Sequence, residues 1–295
     1  MATYTKRLQK VTAVLCTTAL LAGCAAGTSD STEPAATTAQ VKAITIEPTA
    51  AYQTMNGFGA SACWWSQEVG NWENAKDILS LLYDENSGIG LNIYRYNLGA
   101  GSKDDATITD PDRRAEAFID KDGSYHWERD AAAQNALALA KSMNKDLRVT
   151  LFSNSAPVFY TANGKAYCDY LPDDENYVTN LEPERYADFA KYSIACAKHF
   201  TEAGYRVTDL SPINEPEWSW RGYADGTAKQ EGCYYSKTQC RDLYKVFLKQ
   251  MAQEDALKDC QLEGWESGHI GTDTCMAYLQ TMFGKSGVNR VKNNA

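Results

Sequence analysis

Five times along this 295-residue chain a short apolar run is followed by a segment with apolar residues at helical spacing. That alternation restricts the fold more than any other property of the sequence. The runs are Thr54 to Cys63, Ile89 to Leu98, Leu147 to Phe152, Val207 to Asn214 and Cys260 to Gly268. The helical segments between and after them are 72–83, 130–143, 183–200, 237–252 and 272–283, with Asp130 in the position of an N-cap. Strands that alternate with helices build a parallel sheet covered by helices. Successive strands also end in polar clusters, which favours a (β/α)8 barrel with its chemistry at the strand C-termini. An open sheet is the alternative, although no glycine-rich phosphate turn supports a dinucleotide site in one.

The fourth run carries the sharpest candidate. Val207 to Ile213 is apolar enough to be buried, and Pro216 closes it by removing a ladder donor and restricting its neighbour. Glu215, flanked by Asn214 and followed by Trp218, therefore falls at a strand's C-terminal end; the plainer reading is a loop carboxylate beside a turn proline. Arg95 lies inside the second strand, where a cation is costly unless it meets a carboxylate or a ligand.

Composition narrows the partners. A chain with 18 Tyr and 7 Trp but 3 His suits a groove for partly apolar, hydroxylated ligands such as sugars. A net charge of -9 argues against nucleic acid, whose binders present basic stripes. No CxxC or HExxH spacing is present, so no metal site is expected. Of the cysteines, Cys233 and Cys240 are the nearest pair for a disulfide.

The N-terminus reads as an export signal, with Lys6, Arg7 and Lys10 preceding the apolar stretch Val11 to Leu21. Leu21-Ala22-Gly23-Cys24 resembles the lipobox of bacterial lipoproteins, which implies lipidation of Cys24 and anchoring to the cell envelope. The expected organisation is a signal peptide at 1–23, a flexible Ala/Thr/Ser-rich tether at 24–40, and one domain at 41–295.

Four stretches together, Gly57-Phe58-Gly59-Ala60-Ser61, Tyr94 to Gly101, Ser153-Asn154-Ser155-Ala156-Pro157 and Ser211 to Trp218, resemble glycoside hydrolase family 30 in order and spacing. The similarity covers roughly residues 41 to 285. It implies a (β/α)8 barrel with a side β-sandwich, of which Val41 to Pro48 is the expected first strand, and retaining hydrolysis with two glutamates and no cofactor. Glu215 then takes the acid/base role, Asn214 contacts the sugar 2-hydroxyl, and Arg95 supports the carboxylates. Asn154, Trp64, Trp65 and Trp218 join the substrate-binding set, with Glu231 and Glu266 as supporting pocket groups. The branch it looks most like cleaves β-1,6-galactan; glucuronoxylan, β-1,6-glucan and glucosylceramide are the other substrates known for such chains.

One departure matters. The family's nucleophile ends a seventh strand, whereas this sequence shows about five β/α units, so the barrel is expected to be incomplete and the 295 residues alone to lack turnover. A glycan-binding remnant without catalysis, using its tryptophans as stacking platforms, is the reading from a different class. In either case the expectation is a monomer on a polysaccharide.

Overall fold

The computed structural model describes Glu47, Thr49 and residues 51–172 and 177–284. Contacts divide the chain into Met1–Gln53 and Thr54–Ala295, and the fold is that of the second unit. The expected leader, Cys24 and the tether lie outside the described residues, as does nearly all of the strand expected at Val41 to Pro48.

Strands β1 (Gly59–Ser61), β2 (Ile93–Asn97), β3 (Arg148–Phe152), β4 (Arg206–Ser211) and β5 (Gln261–Leu262) form one sheet in the order β1-β2-β3-β4-β5. Every pairing is parallel. Helices α1 (Ser66–Val69), α2 (Ala75–Tyr83), α3 (Ala131–Met143), α4 (Tyr186–Glu202) and α5 (Lys237–Met251) make the crossovers, and α6 (Asp273–Phe283) follows β5. Sequential parallel strands with a helix after each one are the arrangement of an incomplete (β/α) barrel.

The two-residue period of the strands separates two environments. Tyr94, Tyr96, Val149, Leu151 and Leu210 are fully buried on the helix side. There the Tyr94 ring meets Tyr83 of α2 at 5.5 Å, and Tyr96 meets Phe200 of α4 at 5.1 Å. On the opposite face Arg95, Thr150 and Asp209 stand in one register across β2, β3 and β4. The register slips between Val149 and Thr150, leaving Thr208 unpaired. Such a bulge re-aims the side chains that follow it, here those leading to Glu215.

Three details differ from the sequence reading. Asp130 holds the N-cap position of α3, its carbonyl accepting from the Gln134 N–H at 3.0 Å, but its backbone is left-handed (φ 53°) and its side chain makes no cap bond. The buried carboxyl instead accepts from the Tyr96 hydroxyl at 2.6 Å, a long-range partner no local pattern announces. β5 spans two residues rather than the whole of Cys260 to Gly268, because beyond Leu262 the chain leaves the ladder and returns only as a single bridge between Asn214 and Glu266. Cys233 and Cys240 are both free thiols, not a disulfide. The Cys240 Sγ donates to the Tyr235 carbonyl (3.9 Å), whereas Cys233 sits against Cys168.

Candidate active site

The β4 strand ends at Ser211, and Pro212-Ile213-Asn214 carries the chain to Glu215. A residue before proline is ordinarily extended, yet Glu215 has φ 45° in the left-handed region. A non-glycine residue stays there only when its surroundings over-determine it, and here they do. The Glu215 N–H donates to the Glu266 carbonyl at 2.6 Å, and the Glu266 N–H donates to Ile213 at 3.1 Å. The Glu215 carbonyl accepts from the Trp220 indole at 2.7 Å and from the Trp218 N–H at 3.2 Å. The next carbonyl, of Pro216, takes the Tyr235 N–H at 3.1 Å.

The Glu215 carboxyl is half-buried, and burial, reinforced by the charge of Glu217, raises its pKa above the usual carboxylate range; His269 and Arg95 oppose the shift. A carboxyl so placed holds its proton at higher pH than a free side chain, the property a general acid needs. It borders a cavity of about 390 Å³ walled by Trp218, Trp220, Tyr223, Arg221, Lys229 and Gln230, within the size range of ligand sites. Trp218 is 47% exposed and its ring lies 4.9 Å from that of His269, so its face is open to a ligand.

Glu266, at the end of β5, is held differently. Arg95 Nη2 is 2.7 Å from its Oε2, Arg95 Nε donates to its Oε1 at 3.1 Å, and the Ser211 hydroxyl donates to the same oxygen at 2.7 Å. The cation expected to need a carboxylate has found one. Its Nη2 also donates to Asn214 Oδ1 (3.0 Å), its Nη1 to Ser61 Oγ (3.0 Å), and its plane lies over the Phe152 ring. Arg95 thus ties together the ends of β1, β4 and β5.

Glu215, Asn214, Arg95, Glu266 and Trp218 therefore converge on one region. Asn154 is buried below them, its amide donating to Asn97 Oδ1 at 3.1 Å and approaching the Cys63 Sγ at 3.7 Å. Trp64 and Trp65 follow the end of β1; both are half-buried, and the Trp65 indole donates to the Ser61 carbonyl at 2.9 Å. Glu231 is fully buried, accepting from the Ala100 N–H (3.1 Å) and the Ser102 hydroxyl (2.6 Å), and burial pushes its pKa up to about 7. It fastens the loop after β4 to the loop after β2.

Sequence reading did not foresee Glu217, whose Oε1 accepts from the Ser267 hydroxyl and, at 2.8 Å, from the Gly268 N–H. It stood inside the recognised motif, but nothing local sets it apart from a solvated acid. Gly268 carried no signal at all: a Cβ there would lie 2.4 Å from Trp218 Nε1 and 3.3 Å from the Glu215 carboxyl carbon. Only glycine leaves room for those two side chains. Among the described residues, no cluster of three or more His, Cys, Asp or Glu is arranged to hold a metal ion.

Acids gathered at the C-terminal ends of parallel barrel strands, beside a tryptophan-walled cavity, define a class of protein: the barrel glycoside hydrolases. The chain belongs to O-glycosyl hydrolase family 30, whose profile matches residues 41–270. It is 30% identical over 218 residues to an endo-beta-1,6-galactanase of Hypocrea rufa, covering 65% of this chain and 43% of that protein. It is 27% identical over 242 residues to an exo-beta-1,6-galactobiohydrolase of Bifidobacterium longum subsp. longum, covering 61% and 16%. A conserved exported protein from Bacteroides fragilis superposes with a TM-score of 0.72 at 26% identity, over 83% of this chain and 52% of that one. The chain thus spans about half, or less, of the length of the proteins it matches.

Proposed function

We propose that the protein is a retaining, endo-acting β-glycosidase of plant polysaccharide, with β-1,6-linked galactan as substrate and Glu215 as acid/base. The observation that carries this reading is the Glu215 carboxyl, half-buried at the end of β4 with a raised pKa, on the wall of a tryptophan-lined cavity. Protonated, it donates to the leaving glycosidic oxygen; ionised in the second step, it takes a proton from the attacking water. The family's second carboxylate, on a later strand, attacks the anomeric carbon. Asn214 has its oxygen occupied by Arg95, which turns its nitrogen toward a sugar hydroxyl. Arg95 holds Glu266 in place. Trp64, Trp65 and Asn154 complete the sugar-facing set with Trp218, and Glu231 stabilises the cavity from below. The names of the fungal and bifidobacterial relatives support the 1,6-galactan choice.

The test is hydrolysis of β-1,6-galactan, glucuronoxylan, β-1,6-glucan and glucosylceramide by the full-length gene product and its Glu215→Gln variant. Oligosaccharide release from 1,6-galactan, lost in the variant, is expected. Release from another polymer alone would move the substrate, and undiminished turnover by Glu215→Gln would remove the acid/base assignment. The proposal includes export and anchoring of a monomer through lipidated Cys24, in keeping with the exported relative from Bacteroides fragilis. Incorporation of labelled fatty acid, abolished by Cys24→Ser, checks it.

A further inference from the structure

The loop after β4, which walls the cavity, is tied to the loop after β3 through a pair of buried thiols. Cys168 belongs to the loop after β3 and Cys233 to the loop after β4, and both are buried, at 2% and 1% exposure. The Cys168 N–H donates to the Trp220 carbonyl at 2.9 Å, and the Gly222 N–H donates to the Cys168 carbonyl at 2.8 Å. Close by, the Gly232 N–H donates to Ala166 at 2.8 Å. Residues 166–168 are therefore clamped against both ends of the segment that carries Trp220, Tyr223 and Gln230. Within this clamp the two thiols converge on the backbone of one residue, Tyr234. The Cys168 Sγ accepts from the Tyr234 N–H at 3.3 Å, and the Cys233 Sγ donates to the Tyr234 carbonyl at 3.6 Å. The two thiols also hydrogen-bond each other, and that bond, with burial, drives the Cys168 pKa up.

We propose that Cys168 and Cys233 are a disulfide site, oxidised in the exported protein to a covalent staple between the loop after β3 and the loop after β4 that walls the cavity. Exported proteins meet oxidising conditions that make such bonds persist. The oxidant is a disulfide RSSR, either a thiol–disulfide exchange protein or a small disulfide such as oxidised glutathione. One cysteine thiolate attacks a sulfur of RSSR and expels RS⁻; the second, once deprotonated, attacks the protein sulfur of the mixed disulfide and expels the other RS⁻. The balance is two protein thiols and RSSR giving one protein disulfide and two RSH. Because both sulfurs are buried in the folded chain, the exchange belongs to folding, before the loops close. The bond holds Trp220, and through its indole the Glu215 carbonyl, in position. This inference rests on the export proposed above but not on the substrate.

The full chain is expressed with its own leader, trapped with alkylating agent under denaturing, non-reducing conditions, and mapped by mass spectrometry. A Cys168–Cys233 linked peptide, two hydrogens lighter than the pair of thiols, is expected, with Cys63, Cys196, Cys240, Cys260 and Cys275 alkylated. The same chain is separately folded in glutathione buffer. Linkage in buffer but not in cells keeps the site and overturns export; both cysteines alkylated in both samples, or pairing scattered over all seven, overturns the site. Reduction should lower the melting temperature of the linked protein by about 5 °C and leave a Cys168→Ser/Cys233→Ser variant unmoved. An equal shift in that variant would also overturn the proposal.

Discussion

Glu215 beyond β4 and Glu266 beyond β5 are joined by a hydrogen bond between their backbones, yet the two acids meet different partners. Glu215 faces an indole-walled cavity, with burial and the neighbouring Glu217 holding its proton on. Glu266 is gripped by Arg95 and Ser211. The contrast comes from what stands opposite each acid in the register. Arg95 enters from β2 toward β5, and its guanidinium is spent on Glu266, Asn214 and Ser61 before it can neutralise Glu215. A single cation, aimed at one of two neighbouring carboxylates, assigns them different work.

The largest effect expected from breaking this contrast is at Glu215 itself. Glu215→Gln keeps the shape but removes the transferable proton, and kcat of the full-length protein on galactan should fall by roughly 10²- to 10⁴-fold. Next comes the pH dependence of folding at the top of β5. Burial, with Asp209 and Glu266 nearby, pushes the Glu263 pKa up to about 7. The folded state then binds a proton more tightly than the unfolded one, so this group's contribution is complete below about pH 4.5 and is lost as pH rises through 7. Glu263→Gln should flatten that part of the melting-temperature profile between pH 5 and 8. Arg95→Met should cost roughly 1–3 kcal/mol in chemical denaturation, below the figure for a fully buried pair because Glu266 is 32% exposed. The smallest effect sharpens the contrast: Glu217→Gln removes a charge that raises Glu215, so the basic limb of the kcat profile should move to lower pH.

Much of this was legible in the chain. Apolar runs and helical spacing located all five strand and helix units, but the fourth strand ends at Ser211, four residues before Glu215, and the pre-proline preference for extended backbone fails at Glu215 itself. Arg95 was readable as a buried cation in need of a partner, since that demand is a property of the residue wherever the fold puts it. Distant pairings were not legible. Asp130 satisfies every local rule for a cap, yet Tyr96 claims its carboxyl from a strand far along the chain. Cys240 is close to Cys233 in sequence, but Cys168 is the sulfur that reaches it, because loops after adjacent parallel strands meet in space and not along the chain. β5 is shorter than its apolar run suggests because, past the Glu263 N–H bond to the Leu210 carbonyl, the chain rejoins β4 only at the Asn214–Glu266 bridge.

The left-handed backbone at Glu215 carries one more consequence. Glycine would occupy φ 45° without strain, so position 215 is a place where folding and chemistry select for opposite residues. A library of this protein screened for thermal resistance alone would drift toward Glu215→Gly and discard the carboxyl proposed as acid/base while appearing to improve the fold. Any laboratory evolution of the scaffold therefore has to select on turnover from the first round.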